Sequence, residues 1–202
     1  MCSGRVDPVF VFEGFRSGAD GVLVGGCKLG ECKYISGNFQ ALLMAEVVRS
    51  IMRLLGMKEE RFTVTWLSAA ESGKLVEELN KFYEVVSKVG KLGMAEGWSE
   101  EDKEFYIGSA IKLCENLQFR SIYGNIAKEL TKLRDFSPQT ISEKVEKKLL
   151  PSVKSRLYEL EIKELLKGGP KSLDFIIEKT RAKPEEVEKI LSKVMGAEKG
   201  GK

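Results

Sequence analysis

The chain has 202 residues, of which 43% are apolar and 31% charged, the balance of a globular protein with enough apolar material for a core. A formal charge of +3 gives no argument for binding to nucleic acid or to a membrane surface. Because the chain has no histidine, it lacks a Ser-His-Asp or Cys-His couple, a histidine-ligated zinc site and a Rieske-type cluster. It has no apolar run long enough to span a bilayer and no signal-peptide pattern, so we expect a cytoplasmic protein.

The sequence pattern of residues 1–91 predicts alternating helices and strands. The Asp7-Pro8 pair is typical of a helix start, and Gly56 and Gly90 are typical helix ends. Ser68 is the predicted cap of the third helix. The predicted elements are helices over residues 9–15, 39–55 and 68–89 and strands over residues 22–24 and 62–67. This order predicts an α/β fold with a small parallel three-stranded sheet, whose first strand would lie before Asp7 and be incomplete.

After residue 91, the sequence pattern predicts helices and no strands. Residues 92–98 form the expected linker, residues 99–195 an all-α domain, and residues 196–202 a disordered tail. Ser99, Ser137 and Pro151 mark helix starts, and a Gly-Gly-Pro sequence at residues 168–170 breaks the next helix. Two short helices follow, over residues 172–179 and 184–194, in an arrangement similar to a winged-helix type of helix-turn-helix.

The helix-turn-helix pattern allows either DNA binding or protein docking. The would-be recognition helix begins with Glu185, Glu186 and Glu188, where phosphate and base contacts would be needed. Residues 92–202 also hold nearly equal numbers of basic and acidic residues, so they have no basic footprint. We therefore expect a protein-docking module and do not expect nucleic acid as a partner.

The cysteines are the residues on which redox or metal chemistry would depend. Cys2 and Cys27 fall at the carboxyl ends of predicted strands, where ligands of open α/β sheets collect, and Cys32 follows in a glycine-rich loop. A C-x4-C pair with a remote cysteine is similar to one class of [2Fe–2S] spacing. Spacing alone leaves open metal ligation, reduced thiols and a reversible Cys27–Cys32 disulfide. Cys114 lies in an apolar helical run and is expected in the core.

Four segments resemble one known family. They are CSGRVDP (residues 2–8), GADGVLVGGC (18–27), LGECKY with SGN (29–34 and 36–38) and WLSAAE (66–71). Together they resemble the delta subunit of methyl-viologen-reducing hydrogenase, an iron–sulfur subunit that links hydrogenase to heterodisulfide reductase in archaea. The resemblance covers residues 1 to 91 in order, and residues 99–202 are additional to it.

The resemblance implies a [2Fe–2S] electron-transfer subunit that takes part in methanogenesis and performs no bond chemistry of its own. Its expected partners are a hydrogenase or formate dehydrogenase and the flavin subunit of heterodisulfide reductase, with no membrane partner. Cys2, Cys27 and Cys32 stand at cysteine positions of the family and are the implied metal ligands. Family members carry a further N-terminal segment with a strand and a cysteine-rich turn. We expect the fourth ligand from such a segment, either upstream of Met1 or on another polypeptide.

Two lysines depart from the family pattern, because Lys28 and Lys33 stand where the family commonly has histidine. Nearby cations stabilise thiolates and a reduced cluster, so these lysines favour a raised reduction potential. Alternatively, Lys28, Lys33 and Arg5 form a solvated rim or a docking surface for a partner. We expect the three aromatic side chains Tyr34, Trp66 and Trp98 to pack in the protein rather than stack on a cofactor.

Two other functions compete with electron transfer. One is a redox-responsive regulator in which the cysteines sense and the C-terminal helices bind DNA. The other is an interaction protein that holds no cluster.

Overall fold

The computed structural model describes residues 2–68 and 70–199, with side chains as far as residue 194. Short 3-10 turns lie at Ser3–Arg5 and Glu59–Arg61. The strands and helices, in chain order, are α1 (Pro8–Arg16), β1 (Val22–Gly26), α2 (Gly37–Leu55), β2 (Phe62–Trp66), α3 (Ser72–Val89), α4 (Glu100–Glu115), α5 (Leu117–Leu133), α6 (Pro138–Lys144), a π-helical stretch (Val145–Leu149), α7 (Leu150–Lys167), α8 (Leu173–Thr180) and α9 (Pro184–Lys199).

The sheet is parallel and small, which confirms the predicted α/β class, but the described residues contribute two strands to it and not three. Val22 of β1 lies opposite Phe62 of β2, and the register runs to Gly26 opposite Trp66. The predicted first strand is wrong. Residues 3–5 satisfy their backbone locally, since Arg5 N donates to Cys2 O at 2.9 Å and Val6 N to Ser3 O at 3.0 Å. Such i→i+3 bonds make a 3-10 turn in place of an extended strand.

Helix capping follows the sequence at three of the predicted starts. The Asp7 carboxylate accepts from Val9 N at the start of α1, and Ser99 and Asp102 form a reciprocal capping box on α4. The Ser137 side chain caps α6. The prediction that Ser68 caps α3 is wrong. The Glu71 carboxylate accepts from Ser68 N at 2.8 Å, which closes a turn and delays the helix to Ser72.

The predicted linker at residues 92–98 is a packed turn. Leu92 and Trp98 are buried, and Glu96 carries a fully buried carboxylate. That carboxylate accepts hydrogen bonds from the Arg61 guanidinium and from the backbone N–H groups of Lys58 and Gly93. The segment between the sheet and the first long C-terminal helix is therefore held by specific polar contacts.

The apolar core continues across the predicted boundary at residue 91. One buried cluster runs from α1 through α2 and α4 to α7 and includes Phe12, Met44 and Leu113. A second, smaller cluster joins α7, α8 and α9 around Ile162 and Val187. Residues 196–199, predicted as part of a disordered tail, continue helix α9, and residues 200–202 of that tail lie outside the described residues. In the described part of the chain, no helix combines the length and apolar character needed to cross a membrane.

Candidate metal centre

Three of the four cysteines meet at the carboxyl end of the sheet. Cys2 precedes the first 3-10 turn, Cys27 follows β1 directly, and Cys32 lies five residues further along the loop that leads to α2. All three line one open cavity of about 680 Å³. The Sγ atoms of Cys2 and Cys32 are 3.5 Å apart. All four cysteines of the chain are free thiols.

Glycines allow this convergence because they remove side chains where backbones meet. A Cβ on Gly37, the first residue of α2, would collide with Cys2 Sγ and lie 3.0 Å from Cys32 Sγ. A Cβ on Gly4 would collide with the carbonyl oxygen of Gly37. The first turn of α2 can therefore lie directly against both sulfurs, and a larger residue at either glycine would separate them.

The backbone around Cys32 favours its ionised form. Partial burial raises the pKa of this thiol, but the N–H groups of Tyr34 and Asn38 and the neighbouring cysteine thiols lower it to about 7. Asn38 lies in the first turn of α2, where backbone N–H groups are free to bind a negative charge. The pKa of Cys27 is raised by burial and by the adjacent Cys32. The Cys27 and Cys32 thiols thus influence each other's ionisation, as groups in one site do.

Asn38 holds the cysteine loop in place, a role that its sequence pattern did not predict. Its side chain is fully buried, and its Nδ2 donates to the carbonyl oxygens of Cys27 at 3.3 Å and Lys28 at 2.5 Å. The same residue thereby fixes the turn after β1 with its side chain and faces Cys32 with its backbone N–H. The only sequence signal was its place in a Ser-Gly-Asn turn, which does not reveal contacts ten residues away.

Lys28 is anchored to Glu71, a residue that lines the cavity. Its ammonium donates to the Glu71 carboxylate at 2.7 Å, and this contact, with the Ser68 N–H bond, lowers the pKa of Glu71 to about 2. Lys28 therefore links the cysteine loop to the turn before α3.

Exposed apolar side chains border the cavity. Tyr34 and Ile35 are 68% and 84% exposed, so the prediction that Tyr34 packs in the protein is wrong. Trp98, in contrast, is buried, with the Arg181 guanidinium 5.8 Å from the ring centroid. None of the residues of α3 is fully buried. The exposed apolar side chains of this helix include Leu75, Val76, Leu79, Tyr83 and Val85, whereas Phe82 and Val86 lie against Gly21.

Two of the three sulfurs lie close enough together to bind one metal ion. In the described part of the chain, no group of three or more His, Cys, Asp or Glu side chains is arranged so that it could hold a metal ion by itself. A tetrahedral metal with bonds of about 2.3 Å to sulfur places two thiolates roughly 3.8 Å apart, close to the 3.5 Å between Cys2 and Cys32. A [2Fe–2S] cluster needs only two protein ligands on each iron. Ser3 also lines the cavity, and its buried Oγ has no hydrogen-bond partner among the described residues.

Cys114 lies apart from this centre. It is fully buried in α4 within the main core, as predicted, and burial raises the pKa of its thiol. A thiol in that setting is inert.

Comparison with known proteins identifies the family. The methyl-viologen-reducing hydrogenase delta subunit family matches residues 1–90. An F420-non-reducing hydrogenase vhc iron-sulfur subunit from Methanococcus voltae is 34% identical over 103 residues, which are 51% of this chain and 72% of the relative. The chain belongs to the methyl-viologen-reducing hydrogenase delta subunit family. All three converging cysteines lie within the part that matches this delta subunit family.

Two further relatives show how the delta subunit segment is used in other chains. An F420-non-reducing hydrogenase iron-sulfur subunit from Archaeoglobus profundus is 42% identical over 89 residues, 44% of this chain and 65% of the relative. One subunit of the ferredoxin/F420H2-dependent CoB-CoM heterodisulfide reductase from Methanosarcina acetivorans is 40% identical over 93 residues, 46% of this chain. That match spans 12% of the reductase polypeptide. The delta subunit segment therefore occurs both in short hydrogenase subunits and as a minor part of a long reductase chain.

Proposed function

We propose that this chain is an electron-transfer subunit of a hydrogenase and heterodisulfide reductase system and holds a [2Fe–2S] cluster. Cys2, Cys27 and Cys32 are the proposed ligands, and a segment outside residues 2–199 is the proposed source of the fourth. The observation that carries the proposal is the convergence of these three sulfurs, from distant parts of the sequence, at one cavity. When bound, the cluster would accept and give up one electron at a time.

The chain's own residues would prepare the site for negative charge. The N–H groups of Tyr34 and Asn38 point at the Cys32 sulfur, and thiolate ligands need such donors because they leave water on binding. Asn38 fixes the Cys27 turn through its side chain. The Lys28 ammonium adds a cation, held by Glu71 of the cavity lining. These contacts favour retention of an anionic cluster.

We propose the flavin subunit of heterodisulfide reductase as one partner and a hydrogenase or formate dehydrogenase as the other. The first choice is supported by the Methanosarcina relative, in which a similar segment is part of a heterodisulfide reductase polypeptide itself. The exposed side chains of Tyr34, Ile35 and Leu75 beside the cysteine cavity are suited to a protein interface, since a protein surface rarely groups apolar residues in this way. A partner covering this face would place its own cofactor near the cysteines.

Anaerobic purification of the protein with its partner subunits tests the proposal. We expect a brown protein with about two irons per chain, from the composition of a [2Fe–2S] cluster, and an electron paramagnetic resonance signal that develops on reduction. Electrons from the hydrogenase should reduce this cluster before they reach the reductase. Colourless, iron-free protein from the intact complex would contradict the proposal.

A further inference from the structure

Ser3 carries a hydroxyl group for which the described residues provide no partner. The residue is 8% exposed, and its Oγ makes no hydrogen bond. The backbone carbonyl of Ser3 is used, since it accepts from Val6 N at 3.0 Å, but the side chain takes no part in the 3-10 turn. An unsatisfied buried hydroxyl destabilises the folded protein, so native proteins keep few of them without a function.

Ser3, which carries this hydroxyl, lies at the cysteine cavity. Ser3 lines the same cavity as the three cysteines, follows Cys2 in sequence, and lies against the end of β1. Its Oγ is 2.7 Å from the position that a Cβ would take on Gly26, the residue before Cys27. Gly26 has no side chain to accept a hydrogen bond. The hydroxyl therefore belongs to the residue after one proposed ligand, Cys2, and lies next to the residue before another, Cys27.

We propose that Ser3 Oγ donates a hydrogen bond to a sulfur of the bound iron–sulfur cluster and thereby raises its reduction potential. The inference rests on the proposed function, because it requires the cluster. Reduction adds one electron and makes the sulfur atoms more negative, so a donor stabilises the reduced form more than the oxidised form. Ser3 is a positioning and tuning residue and not a ligand, and it leaves the fourth ligand position to another group.

A redox titration of the Ser3→Ala protein, purified anaerobically with its partner subunits, tests the inference. We expect unchanged iron content and, at a fixed potential, about a tenfold lower ratio of reduced to oxidised cluster. For a one-electron couple, this ratio corresponds to a reduction potential that is about 59 mV lower. Ser3→Thr keeps the hydroxyl and should restore most of the shift. Ser17→Ala removes an exposed serine hydroxyl after α1 and should change nothing. In D2O, the shift of the iron–sulfur Raman bands should be smaller in Ser3→Ala than in the wild type, because the backbone N–H groups of Tyr34 and Asn38 at Cys32 exchange in both proteins.

The outcomes separate this inference from the proposed function. Iron-bearing Ser3→Ala protein with the wild-type potential and the wild-type deuterium shift would overturn the role of Ser3 alone. Loss of iron from Ser3→Ala, with retention in Ser3→Thr, would overturn the hydrogen-bond role in favour of an oxygen ligand. Wild-type protein without iron would overturn the proposed cluster, and the Ser3 inference with it.

Discussion

Arg61 and Glu96 form an ion pair that is fully removed from solvent, with Nε and Oε1 2.8 Å apart. The guanidinium also donates to the carbonyl oxygens of Asp20, Gly90 and Lys91, so one side chain joins the turn before β1 to the end of α3. A buried charge is tolerated only when its hydrogen-bonding groups are satisfied, and both partners meet that condition here. This pair explains why residues 92–98 form a fixed turn instead of a flexible linker.

Arg61→Ala should strongly destabilise the protein. It leaves the Glu96 carboxylate buried without its cation and three carbonyl oxygens without a donor, and breaking a buried pair in this way costs about 3–5 kcal/mol. Urea unfolding measures the loss. Arg16→Ala is the control, because the Arg16–Glu13 pair is exposed and worth at most about 1 kcal/mol. Equal effects of the two substitutions would contradict a structural role for the buried pair.

Glu161 should make the protein less stable as pH rises. Its side chain is buried in α7 with Oε2 unpartnered, and burial, opposed by the charge of Arg181, raises its pKa to about 8. The unfolded chain releases this proton near pH 4.3, whereas the folded chain keeps it to about pH 8. The native state therefore binds more protons between these values, and its stability falls across that window.

Glu161→Gln removes this dependence because the amide does not ionise. Urea unfolding at pH 5, 6.5 and 8 should show a smaller decline for the variant, and at pH 8 the variant should be more stable than the wild type. Glu164→Gln, which alters an exposed carboxylate paired with Lys112, is the control and should keep the wild-type slope. Parallel slopes for the wild type and Glu161→Gln would contradict the raised pKa.

Cysteine substitutions test the ligand set directly. Cys2→Ser, Cys27→Ser and Cys32→Ser should each lose most of the bound iron, since a serine hydroxyl is a much poorer soft ligand than a thiolate. Cys114→Ser is the matched control: it should lower stability because it buries a hydroxyl in the core, but it should keep its iron. Iron per folded chain is the measurement. Loss of iron from Cys114→Ser without unfolding would contradict the assignment.

Local sequence signals predicted the parts of the structure that depend on neighbours in the chain. The helix starts at Asp7, Ser99 and Ser137 follow from capping within three residues. The position of Cys27 followed from a general property of parallel sheets, whose strands end at one edge, whereas Cys2 lies beside a 3-10 turn and not at the end of the predicted strand. The role of these cysteines as metal ligands stays a prediction.

Contacts between distant residues explain what the sequence could not predict. The buried pair of Arg61 and Glu96 holds a glycine-rich segment, predicted to be a linker, as part of the core. The helix α3 was predicted, but its sequence does not tell whether the chain itself or a partner covers the apolar side chains of this helix. Ser3 and Asn38 are ordinary turn residues by sequence, and only their surroundings reveal the cavity.

Asn38→Ala should weaken the cluster site and the fold together. Loss of the amide leaves the carbonyl oxygens of Cys27 and Lys28 without their donor, at a cost of about 1–3 kcal/mol. Because the Cys27 turn is then free to move, we expect faster loss of iron to a chelator, by at least tenfold. Asn80→Ala on the exposed side of α3 is the control. A variant that loses stability but releases iron at the wild-type rate would show that Asn38 supports the fold only.

The exposed apolar side chains of α3 should bind the flavin subunit of heterodisulfide reductase. Val76 and Leu79 are 56% and 45% exposed, and Leu75 on the same helix lines the cysteine cavity, so a partner bound there would lie next to the cluster. Val76→Asp and Leu79→Asp place a charge where an apolar contact is expected. We expect at least a tenfold loss of electron transfer to the reductase with unchanged iron content. Ser17→Asp adds the same charge at an exposed polar position outside α3 and should retain transfer. Normal transfer in both apolar variants would exclude this face of α3 from the interface.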